Sequence, residues 1–140
     1  TQFHSRFRPD LIADREDVLA VTKSKDICLI NALDPDEFAG RPPHRYARPG
    51  RIPTSVNVPF SKTADPDSQL FSEDANLDQM FDDVGAKKAK AIICYCGGGI
   101  AACSTALTLV RLGFENVSVY DGSLTEWAAD PVLPMEVGDA

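Results

Sequence analysis

Residues 95–114 read YCGGGIAACSTALTLVRLGF: a cysteine placed before three consecutive glycines, then a long apolar run closed by a fourth glycine. Glycine loses more conformational freedom on folding than any other residue, so three in a row imply a backbone that curls tightly or approaches something closely. Just upstream, AIICYC (91–96) is short, continuous and rich in branched side chains, the pattern of a strand buried on both faces. Just downstream, the spacing predicts a helix from about Ala101 to Leu112, with Gly113 as its stop. Cys103, Leu107, Val110 and Phe114 form an apolar stripe expected to face the core, and Ser104, Thr108 and Arg111 a polar one. Strand, glycine loop and helix together put Cys96 at the carboxyl end of a buried strand, where open α/β sheets bind ligands.

Working outward, ICLINA (27–32), SVNV (55–58) and VSVY (117–120) repeat the strand pattern. PDLIADREDVLAVTK (9–23) reads as one amphipathic helix. SEDANLDQMFDDVGA (72–86) reads as another, with Ser72 as its N-cap and Gly85 where it stops. Strands alternating with helices predict a doubly wound α/β domain, and 140 residues suit a single domain, 1–140, with one hydrophobic core.

The charge balance narrows the function. A formal net charge of −7 leaves no basic excess for nucleic acid or anionic lipid. No apolar run approaches a membrane span, and reduced thiols with a cytoplasmic address are expected for the cysteines at 28, 94, 96 and 103. Cys94 and Cys96 lack the second pair or nearby histidine that a tetrahedral zinc site needs, so no metal or other cofactor is expected. His4 and His44 fall in irregular segments and read as surface residues.

The loop explains what Cys96 is for. The thiolate is the nucleophilic form of cysteine, and backbone N–H groups converging at a helix amino end favour an anion there. Gly97, Gly98 and Gly99, followed by Ile100 and Ala101, can supply that cradle without any side-chain cation. Cys28 and Cys94 lie inside apolar strands, and Cys103 is expected to face the core, so these three read as packing residues; a resolving role for Cys103 stays open. The segment 41–53, RPPHRYARPGRIP, is a proline-punctuated loop with arginines at 41, 45, 48 and 51. Its arginines either pair with acids elsewhere or present positive charge to an anionic substrate, with Arg45 and Arg48 the first choices for the second role.

These motifs resemble a known family, the rhodanese-domain sulfurtransferases. The resemblance is carried by Tyr95-Cys96, the loop 96–101, Leu112-Gly113-Phe114, Tyr120-Asp121-Gly122-Ser123 and Glu126-Trp127. GRIPTSVNVPF (50–60) is similar to the family's Gly-His-Ile-Pro segment, and LINALDPDEFAG (29–40) to its Asp-x-Arg segment. The resemblance implies a five-stranded parallel sheet with helices on both faces. It also implies transfer of a sulfane sulfur from thiosulfate or 3-mercaptopyruvate through a Cys96 persulfide to a nucleophilic acceptor, cyanide or a thiol, in two displacements. Gly97, Gly98, Gly99, Ile100 and Ala101 would form the persulfide cradle. The tail 120–138 and the entry FRPDLIA also look like the carboxyl-terminal catalytic domain of tandem members, so the chain is expected to be either one domain or the downstream part of a longer protein.

Departures from the pattern bear on the donor. The loop has no charged residue, unlike many thiosulfate-using members; Gly97 looks like the mercaptopyruvate branch, whereas Gly98 and Ala101 lack that branch's hydroxyls. Asn31 and Leu33 stand where the family usually has Asp and Arg, and Arg51 where it has His. Two other classes remain. A cysteine phosphatase needs an arginine closing its loop, but the first arginine after Cys96 is Arg111, far down the helix. A rhodanese-like module that docks partners or relays persulfide to another protein's thiol is the stronger alternative.

Overall fold

The computed structural model describes all residues except 1, 3, 25, 69 and 140. Its strands are β1 (Ile12–Ala13), β2 (Ile27–Asn31), β3 (Val56–Asn57), β4 (Ala91–Tyr95) and β5 (Val117–Tyr120). They pair, all in parallel, in the order β1-β5-β4-β2-β3. The principal helices are α1 (Arg15–Val21), α2 (Pro35–Ala39), α3 (Asp74–Asp83), α4 (Ile100–Arg111) and α5 (Ser123–Trp127).

Connection order sets which helix lies where. From β1 through α1 to β2, and on through α2 to β3, the chain moves one way across the sheet. From β3 through α3 to β4, and through α4 to β5, it moves back. Parallel crossovers share one hand, so opposite directions of travel put the two helix pairs on opposite faces. The direction reverses between the neighbouring strands β2 and β4, and the crevice beyond their carboxyl ends is the topological switch point. Leu29, Ile30, Ile92 and Cys94, on these two central strands, are at most 2% exposed. Burial on both faces accounts for their unbroken apolar sequence.

The expected helix over 9–23 breaks in two. Asp14 caps α1: its carboxylate accepts from the Asp17 amide at 2.8 Å, while the Asp17 carboxylate accepts from the Asp14 amide at 3.0 Å. This reciprocal cap starts the helix only at Arg15, which frees Ile12 and Ala13 to pair with Val119 and Tyr120 as an edge strand. Ser72 is likewise no cap; its hydroxyl donates to the Lys62 carbonyl, and α3 begins after Glu73. Gly85, at φ +81°, does end that segment.

Helix α4 occupies the expected residues but is rotated from the expected face. Ala102, Thr105, Thr108 and Leu109 are buried, whereas Cys103, Leu107 and Val110 are exposed. The threonines can be buried because each hydroxyl donates to the carbonyl one turn back, Thr105 to Ala101 and Thr108 to Ser104. With their hydroxyls satisfied inside the helix, the two threonines join Ala102 and Leu109 on the buried face, and Cys103, Leu107 and Val110 are left outside. No described helix is long and apolar enough to cross a membrane.

Candidate active site

Cys96 follows β4 directly at the switch point, and the first turn of α5 clamps the loop that it opens. The Cys96 amide donates to the Ser123 hydroxyl at 3.1 Å, which itself donates to the Tyr120 carbonyl at 2.8 Å. Ser123 is fully buried and sits at φ +49°, a left-handed conformation that serine adopts only when its surroundings enforce it. The Cys96 carbonyl accepts from the Leu124 amide at 3.2 Å. The Gly97 carbonyl accepts from both the amide and the hydroxyl of Thr125, at 2.9 and 2.7 Å.

With its first two carbonyls tied to α5, the loop has its amides left over. The N–H groups of residues 97–101 have no hydrogen-bond acceptor among the described residues, and the first helical bond is from Cys103 to the Gly99 carbonyl. Gly97 and Gly99 are buried and Ala101 is half-buried, while Gly98 and Ile100 are exposed, and this run of unpartnered N–H groups at the start of α4 is a candidate site for an anionic acceptor. Gly99 holds the run in place. It sits at φ +86°, and a Cβ there would come within 2.6 Å of Asp121 Oδ1, so only glycine fits. The Cys96 residue itself is 2% exposed, flanked by exposed Gly98 and Ile100.

The other thiols differ. Burial raises Cys28 to about 11 and pushes Cys94 up as well. Cys103, expected in the core, is exposed on α4, because the buried face of that helix is the one carrying Ala102, Thr105, Thr108 and Leu109. In the native protein at neutral pH, an aromatic disulfide reagent is expected to label Cys103 while Cys28 and Cys94 stay protected until denaturant is added. Protection of Cys103 under those conditions would contradict the observed face of α4. Among the described residues, no group of three or more His, Cys, Asp or Glu is placed to hold a metal ion.

The arginines of the 41–53 loop go mostly to structure. Arg48 was expected to face an anion. Its guanidinium instead donates to the carbonyls of Trp127, Ala128, Asp130 and Leu133, at 2.5–3.0 Å. Four carbonyls at the end of α5 and beyond outcompete an exposed position because they match the planar fork of donors. Arg51, at the family's usual histidine, is buried: it donates to the Gly138 carbonyl at 2.6 Å and lies over the Phe38 ring at 4.5 Å. Arg45 stays exposed, with its Nε 3.3 Å from Glu37. Asn31 takes over a supporting bond at the usual Asp position, accepting from the Leu33 amide at 2.8 Å. Arg111 is held by Asp74 at 3.1 Å and by the Phe71 ring, away from the loop.

Sequence reasoning missed Tyr46. It lies in the segment joining α2 to β3, and a Cβ on Gly97 would fall 1.8 Å from its hydroxyl oxygen. The phenol therefore rests directly on the residue after Cys96. Arginines and prolines dominate that segment, and only its position after β2, beside the switch point, could have singled out its tyrosine.

A family model described as "Rhodanese-like domain" matches residues 19–130. The chain belongs to that family. This rhodanese-like domain is 37% identical over 134 residues to a Mycobacterium leprae protein provisionally named thiosulfate sulfurtransferase, covering 90% of the chain and 47% of that protein. It is 35% identical over 136 residues to thiosulfate/3-mercaptopyruvate sulfurtransferase 1, mitochondrial, of Arabidopsis thaliana, covering 96% of the chain and 36% of that protein. The chain thus spans about half the length, or less, of these relatives. Its fold matches the anaerobic ergothioneine biosynthesis enzyme of Chlorobium limicola at a TM-score of 0.82 and 25% identity, over 95% of the chain and 33% of that enzyme. It also matches the Tum1 protein of Saccharomyces cerevisiae at a TM-score of 0.79 and 24% identity, over 94% of the chain and 48% of that protein.

Proposed function

We propose that this rhodanese-like domain is a sulfurtransferase that carries a sulfane sulfur as a Cys96 persulfide. The observation that carries the proposal is the run of unpartnered N–H groups at 97–101 beside a cysteine at the switch point. A persulfide anion is an acceptor that such a run can satisfy, and backbone N–H groups that converge on an anion do the work of a charged side chain.

In the first half-reaction, the Cys96 thiolate attacks the outer sulfur of the donor, forming an S–S bond to Cys96 and releasing the rest of the donor with the electron pair. In the second, an acceptor thiolate or cyanide attacks that outer sulfur and returns Cys96 as thiolate. Gly97, Gly98, Gly99, Ile100 and Ala101 hold the charged sulfur between the two steps. The relatives' names supply the donor classes, thiosulfate and 3-mercaptopyruvate. Arg45, exposed beside Tyr46, would meet an incoming anion; Arg48 acts through the position of the loop.

The second reading, a docking or relay module without fast small-molecule turnover, is favoured by the 2% exposure of Cys96. Intact mass separates the two. Incubation with excess thiosulfate or 3-mercaptopyruvate is expected to add one sulfur atom to the protein, and cyanide to remove it as thiocyanate. No mass gain from either donor would leave the docking reading standing.

A further inference from the structure

Gly97 and Gly99 are glycines for different reasons. Gly99 needs its positive φ, whereas Gly97 has an ordinary φ and is glycine because Tyr46 occupies the space of its side chain: a Cβ there would lie 1.8 Å from the hydroxyl oxygen and 2.7 Å from the ring Cζ. The loop has given up a side chain next to its nucleophile to admit a phenol. Tyr46 is half-buried, yet its hydroxyl makes no hydrogen bond among the described residues. A tyrosine hydroxyl held in place usually finds a partner. Burial foremost, then the negative charges of Glu37 and of the Cys96 sulfur, push the phenol above its ordinary value, so it keeps its proton at neutral pH. An uncommitted O–H thus stands against the residue that follows the nucleophile.

The two donor classes make different demands on such a group. Attack on thiosulfate breaks an S–S bond and releases sulfite, which leaves with the electron pair and needs no proton. Attack on the thiol sulfur of 3-mercaptopyruvate breaks a C–S bond, and the electron pair becomes the enolate of pyruvate, which needs a proton on carbon. Building on the sulfurtransferase proposal, we infer that Tyr46 delivers that proton and so makes the site competent for β-mercapto-α-keto acids. The phenol proton passes to the enolate carbon, giving the methyl group of pyruvate. The proton of the new persulfide S–H passes to the phenolate, leaving Cys96 as a persulfide anion against the loop amides. No proton is gained or lost overall: the donor's thiol proton ends, by exchange through Tyr46, in the product methyl.

The test is the rate of sulfur uptake by the wild-type protein and by Tyr46→Phe, followed by intact mass with each donor in excess. The variant keeps the ring that packs on Gly97 and loses only the O–H. Uptake from 3-mercaptopyruvate is expected to fall about a hundredfold, the scale of a general acid, with uptake from thiosulfate within about twofold. An equal fall with both donors would assign Tyr46 to packing, and no fall with either would remove it from the reaction; both overturn the inference. Wild-type protein that takes sulfur from thiosulfate alone overturns it while leaving the sulfurtransferase proposal intact. Wild-type protein inert to both donors overturns that proposal, and this inference with it.

Discussion

Cys96→Ser is expected to take up no sulfur from thiosulfate or 3-mercaptopyruvate, while Cys103→Ser takes it up at the wild-type rate. The four thiols are not equivalent. Cys28 and Cys94 are held as thiols by burial, the former raised to about 11, so neither supplies a nucleophile near neutral pH. Cys103 is exposed, but its own amide is already bonded to the Gly99 carbonyl and its side chain lies with Leu107 and Val110 outside the sheet. Only Cys96 adjoins the five unpartnered amides. Serine at 96 preserves the bonds that place the residue, since Ser123, Leu124 and the backbone are untouched. An oxygen in place of the sulfur is all that changes, so the loss is chemical. Intact mass after donor treatment reads the result, with circular dichroism as the check on folding. Sulfur retained on Cys96→Ser would move the chemistry to another cysteine and end the proposal.

The parts of this chain that a sequence could reveal are those governed by one rule at a time. The central strands β2 and β4 are buried on both faces and apolar except for Asn31 and the hydroxyl of Tyr95 at their carboxyl ends, so their positions were plain. The glycine loop was plain too, because no other residue takes the φ of Gly99 or the closeness of Gly97 to Tyr46. Where two rules competed, the pattern misled. Residues 9–13 are compatible with a helix by spacing, yet the Asp14–Asp17 cap starts the helix later and edge pairing with β5 claims what is left. On α4, the larger apolar residues suggested the buried face, but threonines bonded to their own helix can be buried like apolar residues, and they share that face with Ala102 and Leu109.

The supports of the site were less legible than its nucleophile. Ser123 orients the Cys96 amide from 27 positions downstream. Its neighbours Asp121 and Gly122 mark a turn but say nothing of that partner. Tyr46 reaches the loop from 50 positions upstream, within a segment whose charge drew attention to its arginines instead. Long-range contacts of this kind follow from strand order: the connections after β2, β4 and β5 leave neighbouring strands at the same sheet end, so their residues meet whatever their separation in sequence.

Arg48→Met is expected to destabilise the fold by about 3 kcal/mol, roughly a 10 °C fall in thermal midpoint for a domain of this size. Methionine is close in length and preserves the aliphatic stem, so the change is the loss of a charge and of four donors. The carbonyls of Trp127, Ala128, Asp130 and Leu133 then have no guanidinium between them. Trp127 is fully buried, edge-on to Tyr120, and its indole N–H donates to the Pro134 carbonyl at 2.8 Å. Loosening 127–134 therefore reaches the core through that ring. Arg48→Lys should recover only part of the loss, because one ammonium cannot match the planar fork. Arg45→Ala is the contrast: its ion pair with Glu37 is 73% exposed on the arginine side, and exposed pairs are worth up to about 1 kcal/mol. Urea unfolding of the three variants orders them, and an Arg48→Met midpoint equal to that of Arg45→Ala would show that the carbonyls are satisfied as well by water. The same arginine also fixes the far end of the segment that carries Tyr46, two residues away, so a loosened Arg48 should slow 3-mercaptopyruvate uptake even at temperatures where the domain remains folded.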